Sequence, residues 1–270
     1  MKKFKKHHEH GFWDKYYLSL FAVSILLAAV PVCAQLANIK VVTDANVGSQ
    51  LIYEDNFATL DNWLPEGPHT VEAKNNKLHI KTTGDEIGQY VWLKKDVPND
   101  FRIEFDFTPS VNSQDKSFYL IFFCQQGVKG EDILSDEMQN NYLPAKSWRP
   151  FQDFYKYVSP VEQKALHESR IRGYHTSFLR GIEANCNFRK NPRLILLKQT
   201  ILDEKLPKTQ KAHIVLTKIG GRIHLEVNGK VFMDHTDDKD IHIGGRFGFR
   251  AVYDADAHYE NFKLYDLKGF

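Results

Sequence analysis

Short runs of alternating hydrophobic and polar residues recur from Leu51 onward, with almost no helical periodicity. The run FRIEFDF at 101–107 alternates strictly, which places its apolar side chains on one face of a strand. Phe118 to Cys124 is continuously apolar, which predicts a strand buried on both faces. Turn residues separate such runs, including Asn228-Gly229, the pair that a type I′ hairpin prefers.

The same pattern predicts nine more strand-like runs outside the region 172–190. Together they indicate an all-β, two-sheet antiparallel sandwich in one domain, 51–270. The predicted runs are Leu51–Glu54, Val71–Leu78 with a turn at 74–77, its continuation His79–Lys81, Gln89–Leu93, Ala212–Lys218, Arg222–Val227, Lys230–His235, Gly245–Tyr253 and Ala257–Leu267.

The pattern breaks between Gln125 and Ile171, where we predict a long, partly helical insertion. Pro160 to Ser169 is helix-like, with proline in a first-turn position. Aromatic residues such as Trp148 argue against disorder. Long excursions in compact domains are usually functional, so we expect this one to form a wall or lid beside a groove.

The first 34 residues have the three parts of a secretory signal peptide. Lysines at positions 2, 3, 5 and 6 precede an apolar run from Leu18 to Val30, and Val32-Cys33-Ala34 follows. That run is shorter than the roughly 20 residues that span a bilayer. We therefore expect a signal peptide at 1–34, a linker at 35–50, and a periplasmic or secreted protein with no membrane association after cleavage.

The charge balance gives no preference for a polyanionic partner. Residues 1–34 hold five Lys and two acidic residues, so their removal changes the formal net charge from +2 to −1. Without a basic patch, nucleic-acid binding is not expected. The 19 Phe and 12 Tyr are enough for a sizeable core. Cys124 and Cys186 remain after cleavage, either as two buried thiols or as a disulfide.

The stretch from Arg172 to Lys190 carries the most promising chemistry, because His, Asn, Tyr and Arg side chains alternate along two strand-like runs. In each run, alternate residues share a face. One face must seal the core, and the other is either an ordinary polar surface or the lining of a groove. The first run has Tyr174, Thr176, Phe178 and Arg180 opposite His175, Ser177 and Leu179; the second has Asn185, Asn187 and Arg189 opposite Cys186, Phe188 and Lys190.

Several segments resemble a known family. They are YEDNFATLDNW, FRIEFDFTP, FFCQQGVKGEDIL, GYHTSFLR, NCNFRK, RIHLEVNGKVF and GGRFGFR followed by AHYENFKLYDL. The chain is similar, over roughly 51–267, to the YesU-like family of concanavalin A-like jelly rolls, a domain of unknown function found among bacterial polysaccharide-degradation genes. The resemblance implies a jelly roll that binds a polysaccharide or oligosaccharide on its concave sheet. It does not by itself supply a reaction.

The first functional hypothesis is β-elimination on a uronate-containing or oxidised sugar. This chemistry needs a His or Tyr to abstract a proton and polar groups to neutralise the substrate carboxylate. His175 is the preferred base and Tyr174 the alternative, with Arg189 at the carboxylate. The remaining candidates for substrate binding are Asn187, Arg180, Glu131, Asp132 and Trp148.

Two other functions stay open at this point. Glu104 and Asp106 lie two apart on one strand, as in a retaining glycosidase, whose two carboxyl groups are about 5 to 5.5 Å apart. However, position 108 is Thr where glucanases of this fold have a third carboxylate, and the pair also suits a solvated surface. A carbohydrate-binding module without chemistry would use the same aromatic and polar groups.

No cofactor is expected, although a structural calcium ion is conceivable near the last strand. Carboxylate and amide oxygens are the ligands that Ca²⁺ prefers. The alternative is an ordinary polar turn. The candidate ligands are Asp254, Asp256, Glu260 and Asn261.

Overall fold

Antiparallel strands account for nearly all the regular structure in the computed structural model, which describes residues 49–84, 88–114, 117–141, 171–180, 185–192, 194–201 and 209–267. The helix α1 is short, at Asp136–Asn141. The strands are β1 (Gln50–Asp55), β2 (Trp63–Glu66), β3 (Thr70–Lys74), β4 (Lys77–Lys81), β5 (Gln89–Leu93), β6 (Phe101–Pro109), β7 (Phe118–Gly127), β8 (Ile171–Arg180), β9 (Asn185–Asn191), β10 (Ile195–Ile201), β11 (Ala212–Ile219), β12 (Arg222–Val227), β13 (Lys230–Thr236), β14 (Arg246–Val252) and β15 (Asp256–Asp266).

The strands form two antiparallel sheets. The first sheet has the order β13-β12-β11-β6-β15-β4-β3, and β1 pairs with the second half of β15. The second sheet has the order β10-β9-β8-β7-β14-β5-β2. Several neighbouring strands are distant in sequence, such as β6 beside β15 and β7 beside β14. The fold is therefore the predicted two-sheet jelly-roll sandwich.

The inner faces of the two sheets share a core rich in aromatic rings. Buried and half-buried positions alternate strictly along β6, so Phe105 and Phe107 point inward. Phe105 meets Phe178 and Phe249 of the second sheet edge to face, with ring centroids 6.0 and 5.0 Å apart. Aromatic side chains bury roughly 150–250 Å² each, so this layer supplies much of the hydrophobic stabilisation.

Strand β7 is buried on both faces, as its continuous apolar run predicts. Ile121 and Phe123 join the central core. Leu120 and Phe122 point the other way and join a second, smaller hydrophobic cluster. The outer face of the second sheet is therefore not an ordinary solvated surface.

The predicted strands are present, with small differences in their ends, and the structure adds β2 and β10. The Asn228-Gly229 turn has positive φ at both residues, 54° and 72°, as type I′ geometry requires. Cys124 is a free, buried thiol. The side chain of Cys186 lies outside the described part of the chain.

The excursion between β7 and β8 differs from its predicted form. Gln125 lies within β7 and Ile171 opens β8, so both residues belong to the sheet. The predicted helix at Pro160–Ser169 lies outside the described residues. The prediction of a helical insertion therefore finds no support beyond the six residues of α1.

The described residues belong to one compact unit, Gly48–Phe270. The predicted signal peptide at 1–34 lies outside the described residues. Of the predicted linker at 35–50, only Ser49 and Gln50 are described, and β1 begins at Gln50. Across the described ranges, no helix combines the length and apolar character needed to cross a membrane.

Candidate functional site

Paired residues on the outer face of the second sheet form one row that crosses all seven strands, which we call the outer row. His175 and Arg189 lie directly opposite each other in it, on β8 and β9. Side chains opposed in this way have Cβ atoms about 4.5–5.5 Å apart. The outer row consists of Leu64, Trp92, Gly248, Phe122, His175, Arg189 and Leu196.

Because residue 248 is glycine, the aromatic rings on either side of it in the outer row can contact each other. A Cβ atom on Gly248 would lie 2.4 Å from Cε3 of Trp92, so the indole ring occupies the space of a side chain. Trp92 thereby reaches Phe122 two strands away, with ring centroids 6.0 Å apart. Phe122 in turn stacks on the His175 imidazole at 4.9 Å and 16°.

The beginning of the insertion packs on this aromatic surface. Ile133 and Met138 are buried and belong to the same hydrophobic cluster as Trp92 and Phe122. This part of the insertion lies against the outer face of the second sheet, and a wall beside a groove stays a prediction. His175 is only 6% exposed, so its side chain is largely shielded from solvent.

Asn191 is one polar neighbour of the His175 ring. The Nδ1 atom of His175 lies 3.5 Å from Nδ2 of Asn191, and the buried Oδ1 of Asn191 has no hydrogen-bond partner within the described residues. The two ends of an amide group are nearly identical in shape. A 180° rotation of the Asn191 amide would place its Oδ1 where it could accept a hydrogen bond from Nδ1–H of His175. In that orientation the lone pair of His175 would be on Nε2.

Arg189 and Asn187 share the outer face with His175, as predicted. Nη1 of Arg189 donates a hydrogen bond to the carbonyl of Leu194 at 2.9 Å, which uses one of five guanidinium N–H donors. The side-chain oxygen of Asn187 accepts a hydrogen bond from Gln199 at 2.8 Å. The structure thus brings together three predicted site residues and adds Asn191.

Tyr174 lies in the core and not on the outer face, which corrects its assignment as an alternative base. Its hydroxyl donates a hydrogen bond to Oδ2 of Asp237 at 2.6 Å and accepts one from the His242 backbone N–H at 3.0 Å. Burial, followed by the hydrogen bond to Asp237, raises the pKa of Tyr174 far above its ordinary value. A phenol held in this way does not accept a proton from a ligand at the outer face.

Glu131 and Asp132 shape the turn after β7. The Glu131 carboxylate accepts the backbone N–H of Lys129 at 2.8 Å, and the Glu131 carbonyl accepts that of Gly127 at 2.8 Å. Nε of Arg246 donates to Asp132 at 2.9 Å, and this contact lowers the pKa of Asp132. Both acidic residues therefore fix the loop, and their role in substrate binding stays a prediction.

Two further predicted residues cannot be placed in the site. Trp148 lies outside the described residues. Arg180 ends β8 opposite Phe118, and its side chain lies outside the described part.

The outer face also carries an acidic group that the sequence analysis missed. Glu66 ends the edge strand β2 opposite Tyr90, and Nε1 of Trp92 donates to its Oε2 at 2.6 Å. Burial raises the pKa of Glu66 to about 7. The Arg250 guanidinium lies 4.8 Å from the centre of the Tyr90 ring. A carboxyl group with such a pKa is a candidate general acid.

Glu66 and His175 belong to separate ends of the outer face. Four strand spacings separate β2 from β8, or roughly 19 Å at about 4.8 Å per spacing. The two groups therefore cannot act on the same bond.

We expect Glu66→Gln to remove a pH dependence of stability. The pKa of Glu66 is raised in the folded protein from 4.5 to about 7. The contribution of Glu66 to the free energy of unfolding is therefore fully present below about pH 4.5, and it is lost as the pH rises through about 7. At about 1.4 kcal/mol per pKa unit, the wild-type free energy of unfolding falls by about 2 kcal/mol between about pH 5 and 8 relative to the variant. Urea unfolding at both pH values measures this difference.

The matched control is Glu72→Gln, which changes an exposed acid on the first sheet and should leave the pH dependence unchanged. The same pH dependence in wild type and Glu66→Gln would contradict the assignment.

The carboxylates of the glycosidase hypothesis lie on the outer face of the first sheet, away from the outer row. Glu104 forms an ion pair with Arg102 at 2.5 Å. Asp106 contacts His213 at 2.9 Å and accepts a hydrogen bond from Asn261 at 2.8 Å. Burial tends to raise the pKa of Asp106, but these two contacts outweigh it and lower the pKa. Both carboxylates are therefore engaged in ion pairs, and with His213 and Asn261 they line a cavity of about 600 Å³.

The four candidate calcium ligands have separate partners. Glu260 forms ion pairs with Lys77 and Lys211, at 3.2 and 3.0 Å, and these cations disfavour a bound Ca²⁺. Asp256 instead contacts His79 at 2.9 Å. A calcium site made of Asp254, Asp256, Glu260 and Asn261 therefore stays a prediction, with these ion pairs against it.

Comparison with known proteins identifies the fold. Residues 50–264 match the family model described as Domain of unknown function (DUF1961). A Bacillus subtilis protein of unknown function with a galectin-like fold is 21% identical, with 79% of this chain and 94% of that chain covered and a TM-score of 0.62. A search of curated proteins finds no match.

Two similar structures are named as glycan-cleaving enzymes. SCLam, a non-specific endo-β-1,3(4)-glucanase from family GH16, is 9% identical over 82% of this chain and 92% of its own, with a TM-score of 0.53. A GlcNAcα1-4Gal-releasing endo-β-galactosidase from Clostridium perfringens is 12% identical over 83% of this chain and 64% of its own, with a TM-score of 0.51. At these identities the similarity concerns the fold.

Proposed function

The chain belongs to the family DUF1961, a domain of unknown function, and we propose that it is an exported carbohydrate-active protein that cleaves a uronate-containing glycan by β-elimination at the His175 end of the outer row. The observation that carries this proposal is the position of His175, between Arg189 and the Phe122 ring and beside Asn191. The carbohydrate class is supported by the names of two proteins that share the fold.

Each residue of this group has a role that its chemistry suits. With its amide turned so that Oδ1 faces Nδ1, Asn191 would accept the Nδ1–H of His175 and leave Nε2 as the base. Arg189 offers a planar, permanently charged group that can bind the uronate carboxylate with two N–H donors. This contact makes the neighbouring C5–H more acidic, because negative charge developing in the transition state is stabilised.

The reaction balances with the residues present. Nε2 of His175 takes the proton from C5, a double bond forms between C4 and C5, and the C4–O bond breaks. Its electron pair leaves with the glycosidic oxygen, which takes up a proton from the imidazolium or from water. The products are an unsaturated uronate and a new reducing end.

Two observations disfavour the alternative functions. Trp92 and Tyr90 are buried, so neither offers the exposed ring that a binding module uses for stacking, while the predicted stacking residue Trp148 lies outside the described residues. Glu104 and Asp106 lie on the other sheet and are engaged in ion pairs.

A panel of polysaccharides tests the function. The protein is incubated with polygalacturonate, alginate and the neutral glucan laminarin, and both reducing ends and the ultraviolet absorbance of unsaturated uronates are followed. We expect both signals with a uronate polymer and neither with laminarin. Reducing ends without absorbance would indicate a hydrolase, and glycan retention without cleavage would indicate a binding module; either result contradicts the proposal.

A further inference from the structure

Two histidines and an aspartate meet on the outer face of the first sheet, where β4 pairs with β15. His79 and His258 are directly opposed in register, with ring centroids 4.5 Å apart. Asp256 is two residues before His258 on the same face of β15, and its Oδ1 lies 2.9 Å from Nε2 of His79. One possible ligand atom from each of the three residues lies within 4.8 Å of the others.

We propose that His79, Asp256 and His258 bind a divalent transition-metal ion of the zinc class. Imidazole nitrogen and carboxylate oxygen are typical zinc ligands. Calcium and magnesium prefer sites made of oxygen atoms only, so the two histidines distinguish this group from the calcium ligands considered above. The ligands belong to the first sheet, so the proposal is independent of the function assigned to the outer row.

The distances suit an ion between the three side chains. Zinc ligands at about 2.0–2.2 Å in tetrahedral geometry lie roughly 3.4 Å from one another. The observed separations, from 2.9 Å up to at most 4.8 Å, bracket this value. Side-chain rotations are therefore sufficient, while the strand pairing keeps the backbone in place.

The polar groups of the cluster are incompletely satisfied by the protein itself. Within the described residues, Nδ1 of His258 is buried and has no hydrogen-bond partner, and a buried unsatisfied nitrogen is costly. Three protein ligands leave one position for water, as in zinc sites that are not closed.

Zinc binding to the full chain tests the proposal. The N-terminal histidines His7, His8 and His10 are first replaced by Ala, since they could bind zinc themselves. After treatment with a chelator, this parent protein is titrated with ZnCl₂ in competition with a chromophoric chelator. We expect one equivalent of zinc to bind and to raise the melting temperature. Absence of saturable binding by the parent would overturn the proposal.

Variants of the ligands locate the ion. His79→Gln and His258→Gln keep most of the side-chain volume and should each lower zinc affinity by at least about 10- to 100-fold. They should also abolish the zinc-dependent rise in melting temperature. His213→Gln is the matched control, an exposed histidine on the outer face of the same sheet that contacts Asp106, and should bind zinc as the parent does. Unchanged binding by the double variant His79→Gln/His258→Gln would refute the site.

Discussion

Replacing His175 with Gln lowers the rate at which the protein cleaves its uronate polymer by about 10²- to 10⁴-fold, the usual contribution of general acid–base catalysis. Glutamine is similar in size and keeps a hydrogen-bonding group near Asn191, but it does not accept a proton near neutral pH. The choice of Gln over Ala follows from burial. His175 is stacked on Phe122, and Ala would leave a cavity whose cost to stability would obscure the kinetics.

The kinetic measurement is kcat/KM on the polymer that responds in the panel, together with urea unfolding of each variant. His213→Gln, on the other sheet, serves as the control and should retain wild-type activity. A folded His175→Gln protein with activity within a factor of a few of wild type would place the proton transfer elsewhere. Glu66 would then be the next residue to replace, because its pKa is about 7.

The local alternation of the sequence was sufficient to predict which residues share a face. The period of two in a strand placed His175 opposite Tyr174, and it placed Asn187 with Arg189. Both assignments are confirmed by the register of β8 and β9. Alternation cannot decide which face meets the core, however, so Tyr174 was considered as a base although its hydroxyl is bound to Asp237.

The sequence analysis missed several residues of the outer face because their positions depend on strand pairing, which the local sequence pattern does not show. Glu66 follows Pro65, and proline within a short run argues against a central strand; it is tolerated here because β2 is an edge strand. Gly248 and Arg250 approach the site because β14 lies between β5 and β7, an order set by non-local pairing. Asn191 continues the outer face of β9, but only the pairing with β8 shows that it lies beside His175.

A buried ion pair lies directly behind the proposed site and joins its two strands from the core side. Nζ of Lys190 lies 2.7 Å from Oδ2 of Asp237, and the two residues are 7% and 5% exposed. The same oxygen accepts the hydroxyl of Tyr174. Burial tends to raise the pKa of Asp237, but the hydrogen bonds from Lys190 and Tyr174 outweigh it and lower the pKa. These partners are the sequence neighbours of Arg189 and His175.

We therefore expect Asp237→Asn to lower the free energy of unfolding by about 3–5 kcal/mol, because it leaves the Lys190 ammonium buried without a counter-charge. Urea unfolding near neutral pH measures the loss. Lys211→Ala is the comparison, since it removes an ion pair with Glu260 in which Lys211 is half exposed, and such pairs contribute at most about 1 kcal/mol.

The double variant Lys190→Met/Asp237→Leu distinguishes two causes of the stability loss in Asp237→Asn. One is the lost attraction between Lys190 and Asp237, and the other is the burial of an unpaired charge. If the penalty of Asp237→Asn comes from the isolated ammonium, the double variant recovers stability, because no buried charge remains. A loss below about 1 kcal/mol for Asp237→Asn would mean that the pair behaves as an exposed one. The core would then hold β8 and β9 in register without it, and the position of His175 against Arg189 would rest on backbone pairing alone.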